Sequence, residues 1–251
     1  MDILHRFFVN TNQIETNTIK IIGKDVKHIK DVLRLREGDN IEIVSNGDIY
    51  ISEILSFNPD SIITNIIESF PGKNEATIDI ILYQGIPKGD KMDYIIQKTI
   101  EIGVKEIYPI IMNRTVVKFK DKKKEANKLN RWQSISEEAA KQSKRDILPK
   151  INDIMDFKQM IGLLKGENNI IVPYEGESVL NLKEVLNEKK DKKVHIIIGP
   201  EGGFEEDEIN ALREIGGQIV TLGPRILRTE TAGLVVSSIV LYEFGGLEMI
   251  K

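Results

Sequence analysis

The stretch that decides the fold reads Ile196-Ile197-Ile198-Gly199-Pro200-Glu201-Gly202-Gly203-Phe204, and four acids follow it at 205–208. The apolar run predicts a buried strand that enters a glycine loop and then a helix with an acidic first turn. A plain strand-to-helix turn would give the same pattern. The spacing is not G-x-G-x-x-G, and the chain has no Walker sequence. Because an acidic first turn repels phosphate, a cationic or neutral ligand suits this loop better than an anion.

A second strand ends in the run Leu222-Gly223-Pro224-Arg225-Ile226-Leu227-Arg228-Thr229-Glu230-Thr231-Ala232-Gly233. Two arginines, a glutamate and two threonines in one connection are unusual for a plain turn and indicate a ligand site. Structural ion pairing is the alternative explanation. The helix that follows, Leu234 to Leu241, is apolar nearly all round, so we expect it to be buried or to lie in a subunit interface.

Outward from these motifs, the chain from Thr77 onward alternates short apolar strands with helical segments. The predicted strands lie at 78–83, 104–112, 170–173, 194–198 and 218–222. One helix starts at Asp90 as its N-cap and ends at Gly103, and another runs through Trp132. This alternation predicts an α/β domain with a largely parallel sheet.

Residues 1 to about 73 have a different pattern. Short apolar runs at 19–22, 40–44 and 49–52 are separated by turn residues, and Asn46-Gly47-Asp48 predicts a hairpin. A segment with helical periodicity covers 25–35. These small strands around one helix predict a compact barrel, with 71–74 as the linker to the second domain.

Composition excludes several classes of protein. The chain has 251 residues, no cysteine, and three histidines, His5, His28 and His195, whose spacing fits neither a metal site nor a catalytic triad. We expect His195 to be a core residue. The start of the chain has no secretory pattern, and no apolar run is long enough for a membrane span, so the expected location is the cytoplasm.

Charge is unevenly distributed along the chain. The net charge is −4, yet residues 114–150 carry twelve Lys and Arg against five acids, a local net of +7. This basic strip is either a solvated helix face or a surface that contacts RNA phosphates.

Together these motifs resemble the bacterial 16S ribosomal RNA (uracil-N3)-methyltransferases of the SPOUT superfamily. The resemblance runs nearly end to end and is most specific in the two glycine-containing runs at 198–204 and 222–232. Weaker matching segments are His5 to Phe8, His28 to Arg34, Lys88 to Val104 and Arg131 to Arg145. The resemblance implies an N-terminal PUA-like β-barrel RNA-binding domain at 1–73, a SPOUT α/β-knot methyltransferase domain with a trefoil knot at 74–251, and a homodimer.

The resemblance also implies the site residues and the ligands. The cofactor would be S-adenosyl-L-methionine, held among three loops, and the substrate would be 16S rRNA, within the 30S subunit. The implied cofactor-binding residues are Tyr174, Gly199, Pro200, Gly203, Leu222, Gly223, Ile226 and Leu227. The implied RNA-binding residues are Arg6, Arg34, Arg114, Lys118, Arg131, Lys141 and Arg145.

For catalysis, the candidates are Arg228 and Glu230. Arg228 would stabilise charge that develops on a uracil oxygen, and Glu230 would act as a base or orient Arg228. Two other functions stay open on the sequence: a SPOUT methyltransferase that acts on another RNA such as tRNA, and a non-catalytic RNA-binding protein.

Overall fold

The computed structural model describes residues 4–118, 121–187 and 192–247, which form two compact units. Unit 1 comprises the described residues up to 75 together with 140–148. Unit 2 comprises 76–139 and the described residues from 149 onward. The domain boundary expected after residue 73 stays a prediction.

Unit 1 is built on a five-stranded sheet. Its strands are β1 (Arg6–Phe8), β2 (Thr18–Ile22), β3 (Asn40–Ser45), β4 (Asp48–Phe57) and β5 (Ser61–Pro71). They are ordered β1-β3-β4-β5-β2, with a parallel β1–β3 pair and antiparallel pairs elsewhere. Asn46 and Gly47 both have positive φ at the β3–β4 turn, which is the backbone that the predicted tight hairpin needs.

The helical segment of unit 1 is shorter and less regular than the sequence predicts. Helix α1 (Lys24–Lys27) passes into a π-helical turn at His28–Val32, and Arg34 then has a φ of 57°. A non-glycine residue in this left-handed conformation cannot continue a helix. The predicted single helix over 25–35 is therefore wrong at its carboxyl end.

The segment 140–148 joins unit 1 through buried charged contacts. The Arg145 guanidinium donates to Glu75 at 2.7 and 2.9 Å, and Asp146 accepts from the backbone N–H of Asn74 at 2.6 Å. Gly72 packs so closely on Asp146 that no side chain would fit there. The predicted linker at 71–74 is thus fixed by hydrogen bonds in the folded chain.

Unit 2 contains a seven-stranded sheet, and every recorded strand pair in it is parallel. Its strands are β6 (Asp79–Gly85), β7 (Glu106–Ile111), β8 (Lys150–Ile151), β9 (Met155–Asp156), β10 (Ile170–Pro173), β11 (Lys193–Ile198) and β12 (Gln218–Val220). Their order is β12-β10-β11-β6-β7-β8, with β9 paired to β7. The predicted parallel α/β arrangement is confirmed.

Among the described residues, five helices lie between these strands and a sixth follows the last strand; the last three residues of the second of these helices belong to unit 1. They are α2 (Lys91–Ile102), α3 (Lys122–Gln142), α4 (Phe157–Leu164), α5 (Leu182–Asn187), α6 (Glu206–Glu214) and α7 (Thr229–Glu243). Gly103 ends α2 with a φ of +122°, as predicted, but Asp90 makes no side-chain cap hydrogen bond at its start. Asp90 occupies the N-cap position, as predicted, although its side chain does not bond to the helix.

The central strands of unit 2 are buried on both faces. Ile80, Leu82, Ile171 and Ile196 have no exposed surface, which explains their unbroken apolar runs. Since the strands are parallel, their carboxyl ends and the loops that follow them meet at one edge of the sheet. Across the described residues, no helix is both long and apolar enough to cross a membrane.

Candidate active site

A cavity of about 760 Å³ opens at the carboxyl edge of the unit 2 sheet. Open parallel sheets bind ligands at this edge, and the volume is within the usual range of small-molecule sites. The walls come from the residue after β10, from the glycine loop (199–203) after β11, and from the polar loop (222–228) between β12 and α7. All eight residues predicted to bind the cofactor line it: Tyr174, Gly199, Pro200, Gly203, Leu222, Gly223, Ile226 and Leu227.

Two glycines of the glycine loop, Gly199 and Gly203, have no room for a side chain. A Cβ on Gly199 would lie 3.1 Å from the Phe204 ring, and one on Gly203 would lie 2.6 Å from Oε1 of Glu175. Gly203 also has a φ of +70°, which favours glycine. At these two positions the loop therefore presents backbone atoms to the cavity, and the carboxylate of Glu175 lies close to Gly203.

Tyr174 forms the wall that follows β10. Its backbone N–H donates to Val220 of β12 at 3.0 Å, so the strand pairing fixes its position. Its ring lies edge-on to Phe204, with centroids 6.3 Å apart. The tyrosine thus covers the end of the glycine loop with an aromatic surface.

The polar loop is open to solvent along one side. Gly223 has a φ of +99°, Ile226 is 85% exposed and the Arg228 side chain is 82% exposed. Arg228 occupies the N-cap position of α7 without a side-chain cap bond. Its guanidinium is therefore available at the rim of the cavity.

Arg228 and Glu230, the two predicted catalytic residues, are held together only loosely. The closest guanidinium nitrogen of Arg228 lies 4.0 Å from a Glu230 oxygen. The other oxygen of Glu230 lies 3.5 Å from the Lys91 ammonium, and this side chain is only 17% exposed. Glu230 is thus a partly buried carboxylate between two cations.

Lys91 and Glu201 are two cavity residues that the sequence reasoning missed as site residues. The ammonium of Lys91 donates to Glu201 at 3.0 Å, and the backbone N–H of Lys88 donates to the same carboxylate. Burial alone would raise the pKa of Glu201, but these hydrogen bonds hold it below its usual value. The available signal was the lysine that immediately follows Gly89-Asp90, where α2 begins.

Acidic side chains give part of the cavity a negative charge. Glu175, Glu177 and Glu201 line it, and backbone N–H groups of Val179 and Ser178 lower the pKa of Glu177. Glu177 and Glu201 are therefore ionised at neutral pH. Lys91, Arg225 and Arg228 line the cavity as well, and Lys91 is paired with Glu201. Glu175 and Glu177 are therefore the carboxylates that suit a ligand with a cationic centre.

The predicted RNA-binding residues fall into an exposed group and a buried group. Arg34 and Lys118 are exposed, and the side chains of Arg114 and Arg131 are 44% and 60% exposed. Arg114 pairs with Glu205 and donates to Gly202 of the glycine loop, and Arg131 pairs with Asp93. These four basic side chains are accessible in the folded chain.

Of the other three residues of the predicted RNA set, Arg6 and Arg145 are buried and Lys141 is largely covered. Arg6 is 6% and Arg145 3% exposed, and the side chain of Lys141 is 12% exposed beside Asp25. The Arg6 guanidinium donates to Glu42 at 2.5 Å and to Asp146 at 3.2 Å. Because their charges face carboxylates inside unit 1, we correct the prediction and assign these three residues structural roles.

Two family descriptions match the chain: an RNA methyltransferase domain at residues 74–241 and an RNA methyltransferase PUA domain at 21–67. A ribosomal RNA small subunit methyltransferase E of Bacillus subtilis is 36% identical over 249 residues, which is 96% of this chain and 97% of the relative. The Aquifex aeolicus protein of the same name is 34% identical over 95% of this chain and 99% of its own. The crystal structure of such an enzyme from Neisseria gonorrhoeae, bound to S-adenosyl methionine, is 30% identical, with a TM-score of 0.85 over 95% of this chain and 97% of that one.

Proposed function

We propose that this chain, which belongs to the ribosomal RNA small subunit methyltransferase E family, transfers a methyl group from S-adenosylmethionine to N3 of one uridine in 16S rRNA. The family resemblance and the two-part fold class predicted from the sequence, an α/β methyltransferase domain with a PUA-type domain, are confirmed by the matches over nearly the whole chain. The trefoil knot stays a prediction. The observation that carries the proposal is that both glycine-containing motifs line one cavity, with Arg228 at its rim.

The cavity lining fits S-adenosylmethionine. Backbone of the glycine loop and of Leu222 to Leu227 could accept and donate hydrogen bonds to an adenine and a ribose, while Tyr174 supplies an apolar surface. Glu175 and Glu177 would face the positive charge of the ligand. When bound, S-adenosylmethionine supplies an electrophilic methyl group on a sulfonium.

Arg228 and Glu230 would act on the uracil. Loss of the N3 proton would leave a negative charge that N3 shares with the neighbouring uracil oxygens. That charge would be neutralised as N3 forms a bond to the methyl group, while the bond from methyl to sulfur breaks and a neutral thioether leaves. The exposed guanidinium of Arg228 would stabilise that charge. Glu230 would orient Arg228 or receive the N3 proton. The Lys91 ammonium holds the Glu230 carboxylate near the edge of the cavity.

Exposed basic residues would hold the RNA. In unit 2 these are Arg114, Lys118 and Arg131, and in unit 1 it is Arg34. Arg114 contacts the backbone of the glycine loop, so a phosphate bound there would lie near the cavity. The target nucleotide would have to leave its stack to reach N3.

We also propose the domain ranges 1–73 and 74–251 and a homodimer. Helices α2 and α7 pack on each other and expose Tyr94, Ile239 and Tyr242. Tyr242 is 76% exposed, which is unusual for a large aromatic side chain in a monomer. A second copy of the chain would cover this apolar surface.

The test uses methylation of defined RNA substrates. Purified protein and labelled S-adenosylmethionine are incubated with 30S subunits, with isolated 16S rRNA and with tRNA, and the product is mapped by mass spectrometry. We expect one N3-methyluridine in 16S rRNA and none in tRNA. Label in tRNA alone would favour the alternative substrate, and no label in any RNA would favour a non-catalytic RNA-binding protein.

A further inference from the structure

We propose that Gln84 is a positioning residue that holds together the two loops of the cavity. Gln84 is the second-last residue of β6 and has no exposed surface. It does not line the cavity itself, so it would act through the residues that do. The proposal rests on the proposed function, since it assigns Gln84 a part in the same methyl transfer.

The side-chain amide of Gln84 begins a short hydrogen-bond chain. Its Nε2 donates to Oγ1 of Thr229 at 2.9 Å and to the backbone oxygen of Gly85 at 3.0 Å. The Thr229 hydroxyl in turn donates to the backbone oxygen of Gly199 at 2.6 Å. This chain links the end of β6, the first residue of the glycine loop and the first residue of α7.

The network allows only one orientation of the amide. The Gly85 carbonyl can only accept, and the single hydroxyl proton of Thr229 is directed at Gly199. Gln84 must therefore turn its NH₂ group to both of them. Its Oε1 is then buried, and no described residue forms a hydrogen bond with it.

An unpartnered buried acceptor is destabilising, so a structural role alone does not account for this glutamine. A leucine of similar size would fill the same space between apolar strands. Helix α7 also approaches closely, because a Cβ on Gly233 would lie only 3.4 Å from Oε1. Stability is given up here for a fixed polar connection, a pattern that is typical of functional sites.

The connection fixes both walls of the cavity. Gly199 and Thr229 line it, and Arg228 directly precedes Thr229. Without the amide, the glycine loop and the start of α7 would lose a common anchor and could shift against each other. A misplacement of reacting groups by about 1 Å can lower a rate about a hundredfold.

The experiment compares Gln84→Leu with the unaltered chain and with Ser237→Ala. Ser237 is a suitable control because it is also buried, also has an unpartnered oxygen, and lies on α7 outside the cavity. We expect Gln84→Leu to keep or raise Tm and to lower kcat on 30S subunits about tenfold or more, with KM for the subunits unchanged. Ser237→Ala should match the unaltered chain in kcat.

A second variant covers the case in which Gln84→Leu does not fold. Thr229→Val removes the hydroxyl that relays the contact and should lower kcat by a similar factor. If Gln84 acts through Thr229, the double variant loses no more activity than the more damaged single variant. Losses that multiply in the double variant would overturn the relay.

The outcomes separate this proposal from the function on which it rests. An unaltered chain that transfers no methyl group to RNA overturns both. An active chain whose Gln84→Leu variant has unchanged kcat, or loses activity only in proportion to its folded fraction, overturns the positioning role alone.

Discussion

At the rim of the cavity, charged side chains lie close to side chains of opposite charge, and one of them, Arg228, is largely exposed to solvent. Arg228 is 82% exposed and only 4.0 Å from Glu230, so its guanidinium can turn toward a ligand at little cost. Lys91 keeps Glu201 and Glu230 close to the cavity edge. At this scale, one exposed cation lies beside a partly buried set of charges.

Replacing Arg228 by alanine should abolish most of the methyl transfer. The variant loses the charge that stabilises the uracil oxygen, and we expect kcat to fall about a hundredfold or more. The dissociation constant for S-adenosylmethionine, measured by calorimetry, should change little. Arg228→Lys should recover part of the rate, because lysine restores the positive charge but lacks the planar guanidinium group. An Arg228→Ala variant with full turnover would refute the role.

His195 makes stability depend on pH. Its Nε2 lies 3.1 Å from the Glu167 carboxylate, which can only accept, so Nδ1 accepts from the Tyr83 hydroxyl at 3.2 Å. Burial, together with Lys193, lowers the pKa of His195 below its usual value of 6.5. The unfolded chain therefore binds this proton at a higher pH than the folded chain, and stability falls as pH decreases below about 6.5.

Urea unfolding at pH 7.5 and pH 5.5 tests whether the free energy of unfolding decreases at the lower pH. The unaltered chain should lose stability between the two pH values, and His195→Gln should lose less because its side chain does not titrate. Comparing the change with pH, rather than the stability at one pH, removes the packing cost of the substitution. Equal changes in the two proteins would show that His195 does not contribute.

The loops that end the parallel strands carry the site at the scale of elements. The glycine loop and the polar loop have positive φ at Gly203 and Gly223. Such backbone lets each loop turn sharply and leaves the peptide groups at these two glycines uncovered by a side chain of their own. The strands that hold these loops are fully buried, so a rigid sheet supports an open edge.

Gly203→Ala and Gly216→Ala form a matched pair of loop variants. Gly216 has a φ of +86° and open space around it, whereas a Cβ on Gly203 meets Glu175. Both should lose about 1 kcal/mol of stability because alanine disfavours positive φ. Gly203→Ala alone should also raise the dissociation constant for S-adenosylmethionine about tenfold, equivalent to about 1.4 kcal/mol. The prediction fails if calorimetry gives both variants the same affinity.

At the scale of the whole molecule, each unit has its own core and its own buried polar contacts. Unit 1 packs Phe7, Ile19 and Ile43 between its sheet and α1, and unit 2 packs Ile110, Leu164 and Leu212 on one face of its sheet. In unit 1, the buried charges of Arg6 and Arg145 tie segments distant in sequence to each other.

Arg6→Ala should destabilise the protein strongly. It leaves Glu42 and Asp146 with an unpaired negative charge inside unit 1, and breaking a buried pair in this way costs about 3–5 kcal/mol. Urea unfolding followed by circular dichroism would measure the loss. The exposed Arg34→Ala is the control and should change stability by less than about 0.5 kcal/mol. Similar values for the two variants would argue against the buried role of Arg6.

The proposed homodimer is tested by sedimentation equilibrium. The unaltered chain should have twice the monomer mass, and Tyr242→Glu should shift it toward monomer because a charge replaces an exposed aromatic ring on α7. Leu163→Glu is the control, since Leu163 is 47% exposed on α4. A monomeric unaltered chain, or equal effects of the two variants, would rule out this surface.

Local patterns were enough to predict most strands, the hairpin at Asn46-Gly47 and the two loops that border the cavity, whereas the individual cofactor-binding residues followed from the family resemblance. Each of these depends on residues close in sequence: apolar runs, turn residues and glycines at strand ends. The predicted helix over 25–35 failed at Arg34, whose left-handed backbone no periodicity reveals.

The sequence by itself determined the family, the α/β class and the two loops of the site, because a strand followed by a glycine loop is encoded within about ten residues. Only the tertiary structure decided which charges face solvent. Arg6 and Arg145 are 139 residues apart in the chain, yet they lie within hydrogen-bond distance and both are buried. A parallel sheet brings separate strand ends to one edge. This arrangement places Lys91 beside Glu201 and Glu230, and Gln84 beside Thr229. Burial and ion pairing depend on such distant neighbours, so the order of the strands had to be known before these residues could be assigned.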